Sequence, residues 1–405
     1  MTAPISSTER IAHKRLFLPA LGLAVFSVWL ITVTFELLLI DIANSFHVQV
    51  GTAGLVAAVG SISGIVAGLL LSFLSVRFSH KLFLLIGLSF TCLAAIGFFL
   101  APNFGFLLAA NIGVGTGIAL VSAMAYSLIG EFYPIKKRGK AIGWMVAAST
   151  GAFAIGAPII GIIANMGTWR ATMIWFSLPI TLVSLVLAFL VIPKESLEHQ
   201  ICQKEPFFAG CKQVFSNKSA TASLFANMFA VAEGSIAFYS VSFFINQFAT
   251  TISMGSIVIL VGSVLSAAGG AVAGLFVNRV GRKSLGSLTG LTAALLTLTF
   301  TFMPSFGLSW GLNALRFWFA GMSSTALGSL VIEQVPKFRS TMTSINVTFV
   351  NLGMLTASLA AGVALNIYNY QTLALILGGL GVAGTVIWVS LVKDPCKVQK
   401  HIALN

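Results

Sequence analysis

Twelve long apolar segments run through this chain of 405 residues, and they limit its fold more than any other feature. Each is close to the ~20 residues that an α-helix needs to cross a bilayer. Membrane-spanning β-strands would be about 10 residues long and would alternate apolar with polar residues, which these segments do not. We therefore predict an all-α membrane protein with twelve transmembrane helices, called spans 1 to 12. They lie at roughly 16–40, 52–76, 80–100, 105–130, 140–164, 171–193, 220–246, 252–277, 283–303, 307–332, 341–366 and 370–392.

The composition excludes a soluble globular protein. Only 8% of the residues are charged and 57% are hydrophobic, whereas soluble domains carry about 25% charged residues. The net charge of +13 does not indicate a nucleic-acid partner, because the basic residues form short clusters between the spans. The expected surroundings are a lipid bilayer. The first apolar run is too long for a signal-peptide core and is interpreted as a retained span.

The basic residues also predict the orientation of the chain. All but two of the 23 Lys and Arg lie in the N-terminal segment, in loops after even-numbered spans or in the C-terminal segment. Cytoplasmic loops are rich in Lys and Arg, so we place both termini in the cytoplasm and the spans in the cell (inner) membrane. The two exceptions are Arg170 in an outer loop and Arg316 inside span 10.

The sequence contains no pattern for a metal, a cofactor or a nucleotide. Its four Cys and five His have no metal-ligand spacing, and no G-x-x-x-x-G-K-[ST] loop indicates ATP-driven transport. No nucleophile and base suggest an enzyme. Most of the cysteines fall on the predicted cytoplasmic side, where thiols stay reduced, so we expect no disulfide. The cysteines are Cys92, Cys202, Cys211 and Cys396.

A polar segment at 194–219 divides the twelve spans into six plus six. We predict an N-terminal six-helix bundle at 1–195, a cytoplasmic linker at 196–219 and a C-terminal six-helix bundle at 220–405. A spacing of 202 residues relates the two halves. Glu131 matches Glu333 and Asn111 matches Asn313 at this spacing. Two copies of one six-helix unit are the simplest interpretation.

The loops after spans 2 and 8 are the clearest repeated feature. The second copy, GLFVNRVGRKSLG, begins at Gly274, and the first, SFLSVRFSHKLFLL, begins at Ser72. The second resembles the loop signature of the major facilitator superfamily, G-x-L-A-D-R-x-G-R-K-x-x-L, whereas the first is degraded, with Val76 in place of Asp and His80 in place of Arg. The resemblance implies two pseudo-symmetric bundles, and it implies transport by alternating access. The matching residues are Arg77, Lys81, Gly274, Asn278, Arg279, Gly281, Arg282 and Lys283.

Span 5 carries a second resemblance. GAFAIGAPIIG, starting at Gly151, is similar to the G-x-x-x-G-P-x-x-G motif of twelve-span drug:proton antiporters, and TWRATM at Thr168 is similar to their sequence after span 5. The motif residues are Gly151, Gly156, Pro158 and Gly161. We expect these glycines and Pro158 to shape helix packing between the halves; the resemblance also implies a seal against proton leak.

The loop residues are expected to act as a gate. Gly274 would allow two backbones to approach, Gly281 would permit a turn with positive φ, and the Arg and Lys would meet helix C-termini and a carboxylate. The alternative is that these charges only set the topology. Two further pairs are expected to brace the loops, Glu131 with Arg138 and Glu333 with Arg339.

Three ionisable residues fall inside spans and are functional candidates by default, because a charge at that depth is costly. They are Glu36 in span 1, Glu233 in span 7 and Arg316 in span 10. The family fold lines its central cavity with spans 1, 4, 7 and 10, so the resemblance places these residues and Asn111 of span 4 there. Aromatic residues of the same spans would complete a binding site for an amphipathic solute: Trp29, Phe35, Phe238, Tyr239 and Trp318.

These residues predict a secondary transporter that exports drugs or small organic metabolites in exchange for protons. Removal from water favours the neutral form of a carboxylate, so proton and substrate would compete for Glu233 or Glu36. We expect a monomer. The alternatives are a symporter or facilitator that imports an organic anion anchored by Arg316, and a receptor or assembly factor that transports nothing. Arg316 could also form a structural ion pair with Glu36 or Glu233 that locks the halves together.

Overall fold

The computed structural model of the chain describes residues 16–74, 78–133, 135–193 and 207–394, and long α-helices dominate them without any β-strand. We label the long helices α1 to α12 after the predicted spans. In chain order they are Phe17–Ser45 (α1), Val50–Ala53 with Leu55–Leu74 (α2), His80–Leu100 (α3), Phe104–Phe132 (α4), Ile135–Met166 (α5), Trp169–Val191 (α6), Lys218–Phe248 (α7), Ile252–Val280 (α8), Arg282–Phe300 (α9), Phe306–Glu333 (α10), Arg339–Ile367 (α11) and Tyr370–Leu391 (α12). A short linker helix, Phe207–Ser216, precedes α7.

The predicted fold class is confirmed. Every predicted span is matched by a helix whose ends differ from the prediction by five residues or fewer. Within the described ranges, eleven helices are long and apolar enough to cross a membrane, and α9 is the less apolar twelfth. Many large apolar side chains remain exposed, including Leu100, Leu190 and Leu275. Such an extent of exposed apolar surface fits contact with lipid rather than with water.

The contacts divide the chain into two compact units. Unit 1 contains residues 1–47, 59–203 and 252–260, and unit 2 contains residues 48–58, 204–251 and 261–405. Each unit therefore includes a short piece from the other half of the sequence. These pieces are the N-terminal ends of α8 and α2, respectively.

The same helix pairs form in both units. In unit 1, α3 packs along α4, α1 packs on α5 and α6, and α3 also packs on α6. In unit 2 the equivalent pairs are α9 with α10, α7 with α11 and α12, and α9 with α12. Each unit buries an apolar core, around Phe17, Leu84 and Leu128 in unit 1 and around Leu224, Leu330 and Trp388 in unit 2. This matched packing is the structural counterpart of the sequence repeat.

Besides the break at Gly54 in α2 and the π-helical turn Met173–Ser177 in α6, the helices α1 and α7 are interrupted inside their spans. In α1, Leu38 has non-helical backbone angles (φ −112°, ψ 24°). In α7 the helix ends at Gly234 and resumes at Ala237, and the amide of Ile236 donates to the carbonyl of Glu233 at 3.1 Å in a tightened turn. Because α1 and α7 are equivalent helices of the repeat, the interruptions occupy corresponding elements of the two units.

Glycines bring α4 close to α2 in unit 1 and α10 close to α8 in unit 2. A Cβ added at Gly115 of α4 would overlap the carbonyl of Gly60 in α2, and one added at Gly321 of α10 would overlap the backbone of Ser266 in α8. Small residues allow this approach between helices in a membrane.

Substituting these glycines tests the close packing. We expect Gly115→Ala and Gly321→Ala each to destabilise the protein by about 1–3 kcal/mol, because backbone atoms cannot give way to the new methyl group. Gly328→Ala, also in α10, meets nothing within 4 Å and should leave stability unchanged or slightly raised. Thermal denaturation in detergent measures both, and equal midpoints for Gly321→Ala and Gly328→Ala would contradict the packing argument.

Candidate functional site

Glu233 is the centre of a buried polar cluster in unit 2. Its side chain lies two residues before the interruption in α7 and is almost completely buried. The hydroxyl of Thr297 in α9 donates to Glu233 Oε1, and Gly381 of α12 lies against the Glu233 side chain. The carboxylate therefore faces α9 and α12, inside its own unit.

Arg316 provides the positive charge of this cluster. Its Nη1 lies 3.8 Å from Glu233 Oε1, and the side chain is 1% exposed. The Nε of Arg316 donates to Asn313 Oδ1 at 3.0 Å, one turn earlier in α10, and the guanidinium lies 4.3 Å from the centre of the Phe317 ring. The structural ion pair considered from the sequence is thus present between Arg316 and Glu233. Both partners belong to unit 2.

Glu36 is the buried carboxylate of unit 1. It is 5% exposed and lies two residues before the non-helical Leu38 in α1. Both buried carboxylates thus precede a break in equivalent helices. Interrupted helices in corresponding positions of two repeats are a structural mark of a transport site, because freed backbone groups and side chains can bind a solute or ion there.

Asn111 and its repeat partner Asn313 are both buried, at 4% and 1% exposure. Asn111 is close to Gly60 of α2, and a Cβ added at Gly60 would lie 3.0 Å from the Asn111 amide nitrogen. Asn313 supports the guanidinium of Arg316. The repeat therefore retains a buried amide in both halves, and in unit 2 this amide positions a charge.

The predicted aromatic residues do not share one environment. Phe35 is buried against Phe98 of α3, with ring centres 5.1 Å apart, and Tyr239 is buried beside Gly54 at the N-terminal end of α2. Trp29 packs on Phe153 of α5 at 5.9 Å, and the ring of Phe238 lies 5.3 Å from that of Tyr239. Of the predicted set, Trp29, Phe238 and Trp318 are half-buried.

The loop ends of the two units carry equivalent contacts between a basic residue and a glutamate. In unit 2, Arg282 at the start of α9 pairs with Glu333 at the end of α10. In unit 1, His80 at the start of α3 lies 3.4 Å, Nδ1 to Oε2, from Glu131 at the end of α4. We call these the unit 2 brace and the unit 1 brace. Each ties the N-terminus of one helix to the C-terminus of its neighbour.

The braces correct one of the predicted loop pairings. Glu131 pairs with His80, not with Arg138, whose Nε instead donates to the carbonyl of Tyr133 at 2.9 Å. His80 can reach Glu131 because α3 and α4 run side by side, whereas Arg138 lies beyond the turn that follows α4. In unit 2, Glu333 meets Arg282, and Arg339 is an exposed residue at the start of α11.

The remaining loop residues have different outcomes. Gly281 has φ 93°, which confirms the predicted positive φ. The expectation for Gly274 is wrong, since nothing lies within 4 Å of a Cβ built there, because its side of α8 faces outward. Lys81 donates to the carbonyl of Phe189 at 2.6 Å, and the carbonyl of Lys283 accepts from Trp388 Nε1 at 3.2 Å. Arg77 and the side chains of Asn278 and Arg279 lie outside the described residues.

The span 5 motif packs within unit 1. Gly151 and Gly156 face Phe26 and Leu30 of α1, and Gly161 lies against Ser256 from the N-terminal end of α8. Pro158 lies inside α5 between these glycines. Gly156 and Gly161 leave room for side chains of the neighbouring helices, so the motif sets how closely α1 and α8 approach α5.

The exchanged ends of α2 and α8 are held by equivalent hydrogen bonds. In unit 1, Asn165 of α5 donates to Ser253 Oγ at 2.9 Å. In unit 2, Asn366 of α11 donates to Thr52 Oγ1 at 2.9 Å and accepts from the Thr52 amide at 3.1 Å. Asn165 and Asn366 are 201 positions apart, as are Thr52 and Ser253. The repeat thus preserves an asparagine side-chain hydrogen bond that holds each of these N-terminal helix ends in its unit.

Thr297 was not predicted as a site residue from the sequence, and Asn313 was named only as the repeat partner of Asn111. Threonine is common in these helices, so no pattern distinguishes Thr297 from its neighbours. Asn313 carried a signal, because it matches Asn111 across the repeat and precedes Arg316 by three residues, which places the two on one helix face. Among the described residues, no group of three or more His, Cys, Asp or Glu is arranged to hold a metal ion.

Two repeat-related sets of six helices, with ionisable side chains buried in them, define a membrane transporter rather than an enzyme. The sequence profile of the Major Facilitator Superfamily matches residues 17–323 and 225–403. The chain belongs to this superfamily.

Relatives and solved structures agree with this assignment. The chain is 24% identical over 373 residues to multidrug resistance protein 2 of Bacillus subtilis (strain 168), covering 87% of this chain and 90% of that protein. It is 29% identical over 192 residues to a probable sugar efflux transporter of Helicobacter pylori (strain G27), covering 47% and 48%. An uncharacterised MFS-type transporter of B. subtilis is 31% identical over 134 residues, covering 33% and 34%. The chain thus spans half or less of the length of these last two relatives.

The fold is also that of solved transporters. A D-xylose–proton symporter superposes with a TM-score of 0.75 at 18% identity, covering 93% of this chain and 97% of that chain. The nucleoside transporter NupG superposes with a TM-score of 0.76 at 14% identity, covering 93% and 99%. At these identities the similarity describes the fold.

Proposed function

We propose that this protein is a proton-coupled exporter of drugs or other small organic solutes that works by alternating access. It would act as a monomer in the cytoplasmic (inner) membrane, with both termini in the cytoplasm. The observation that carries the proposal is the burial of Glu36 and Glu233 directly before interruptions in equivalent helices. A carboxylate in such a position can exchange a proton when the helix break changes its surroundings.

We assign proton exchange to Glu36. Glu233 is held by Arg316 and Thr297, and protonating it would leave the Arg316 guanidinium as an uncompensated buried charge. That cost favours a permanent structural ion pair in unit 2. Glu36 precedes the break at Leu38, where a change in the backbone of α1 would move the carboxylate between environments.

The overall relationship to multidrug resistance protein 2 supports organic solutes as substrates, since it extends over most of both chains. The similarity to probable sugar efflux transporters supports a second candidate, the export of a sugar, over a shorter stretch. Import of an organic anion is less well supported, because Arg316, its expected anchor, is already held by Glu233 and Asn313.

Reconstituted protein tests the proposal. Liposomes containing the purified protein and the pH dye pyranine, acidic inside, are mixed with external ethidium or with external D-xylose. A proton exchanger for organic cations should raise the internal pH when ethidium is added, and a sugar exchanger should do so with xylose. Internal acidification would indicate symport instead. The absence of any protein-dependent pH change with these and a wider panel of organic solutes would contradict the proposal.

A further inference from the structure

The two braces join equivalent helix ends but use different bases. His80 and Arg282 are 202 positions apart, and so are their partners Glu131 and Glu333. Nδ1 of His80 lies 3.4 Å from Glu131 Oε2 without a hydrogen bond between these atoms, whereas Arg282 donates a hydrogen bond to Glu333. The degraded first loop therefore keeps the ion pair while replacing a permanent cation with a titratable one.

This replacement changes how the unit 1 brace responds to pH. Arginine stays charged throughout the physiological range, whereas histidine ordinarily titrates near pH 6.5. The His80 and Glu131 side chains are only 19% and 17% exposed, so solvent screens their interaction incompletely. The unit 2 brace has no equivalent change, because it contains an arginine in place of the histidine.

Lys81, Arg138 and Tyr133 are described residues beside this brace, and residues of these types do not ordinarily titrate between about pH 5 and pH 8. Lys81 follows His80 on α3, and its ammonium donates to the Phe189 carbonyl of α6. Arg138 at the start of α5 donates to the Tyr133 carbonyl. Burial raises the pKa of the Tyr133 hydroxyl further above its usual range, so it stays neutral. Arg77 lies outside the described residues, and arginine keeps its charge over this interval.

We propose that His80 and Glu131 form a proton-binding site at the loop end of unit 1. Proton binding there converts the brace into a full ion pair and tightens the attachment of α3 to α4. The attachment of α9 to α10 in unit 2 does not change. The protein therefore carries a pH sensor at the brace of unit 1, separate from the buried carboxylates of the spans.

Whether stability rises or falls with pH depends on which protonation state of His80 attracts Glu131. The protonated histidine attracts the carboxylate, so the brace stabilises the protein below the ordinary histidine pKa of ~6.5 and is lost as pH rises through it. The brace is therefore strongest in mildly acidic solution, where histidine is ordinarily protonated and carboxylates are ordinarily ionised.

Thermal denaturation of the full-length protein in nanodiscs tests this site without a substrate. Between about pH 5.5 and about pH 8, we expect the melting midpoint of the wild type to fall by about 2 °C relative to His80→Arg, whose brace is permanent. Arg282→His makes the unit 2 brace titratable as well, so the fall in the melting midpoint over this pH range should roughly double. Amide hydrogen exchange at the starts of α3 and α9 locates each effect.

Two variants serve as controls. His47→Asn removes an exposed histidine distant in sequence from the brace and should keep the wild-type pH dependence. Glu131→Gln should remove the dependence, which also covers the case in which His80→Arg does not fold. Parallel pH curves for the wild type and His80→Arg, or a dependence that disappears in His47→Asn, would overturn the proposal.

Discussion

Replacing Arg316 with Met is expected to destabilise the protein by about 3–5 kcal/mol, the cost of leaving a buried charge without its partner. In the wild type, Arg316 Nη1 lies 3.8 Å from the Glu233 carboxylate. The variant would leave this carboxylate buried in unit 2 without the guanidinium. It would also remove the partner of Asn313. We expect a lower yield of monodisperse protein and a melting midpoint lowered by several degrees, measured in detergent.

A double variant separates charge from packing. Glu233→Leu combined with Arg316→Met replaces the ion pair by apolar side chains of similar size, and such replacements are often neutral or stabilising. The double variant should therefore be more stable than either single change. Arg339→Met, at an exposed position, is the matched control and should melt like the wild type. If Arg316→Met melts like Arg339→Met, the buried pair does not support unit 2.

The second large effect concerns Glu36. Glu36→Gln keeps the size of the side chain and removes its ability to exchange a proton. We expect the protein to fold normally while proton-driven transport in liposomes falls by at least about tenfold, as for loss of a proton-transfer group. Substrate exchange without a proton gradient should continue, because the solute site itself is retained.

Asp41→Asn provides the matched comparison for Glu36→Gln. Asp41 lies five residues further along α1 and is half-buried rather than buried. We expect its substitution to preserve at least half of the wild-type proton-driven rate. Equal losses in both variants would mean that the acidic character of α1, rather than Glu36 itself, supports transport.

The helices could be predicted well from hydropathy, because each span must be apolar along its own length to cross the bilayer, whatever its neighbours are. The ends of α3, α8 and α12 lie within three residues of the prediction. The larger differences occur where α1 and α5 continue as helix beyond the apolar run, to Ser45 and from Ile135. At the extended end of α1, Trp169 Nε1 of α6 donates to Ser45 Oγ at 2.9 Å, a contact that hydropathy does not describe.

The site was harder to predict, because lipid-facing and protein-facing sides of a span are both apolar. For this reason the sequence did not indicate that Phe35 packs on Phe98, or that Gly274 has open space beside it. The charged residues were informative, because a buried charge must find a partner inside the protein. Even so, Arg316 had two candidate partners, and the packing of α7 beside α10, which brings Glu233 to it, was not evident from the sequence.

Proton release upon substrate binding is the most direct measurement of the proposed coupling at Glu36. Purified protein in weakly buffered detergent solution, with a pH dye, is mixed with ethidium or with the solute that the liposome screen identifies. We predict the release of about one proton per transporter for the wild type, because solute binding is coupled to the ionisation of one carboxyl group. Glu36→Gln should release none. Equal release from Glu36→Gln and the wild type, or no release from the wild type, would contradict the assignment of Glu36 as the coupling residue.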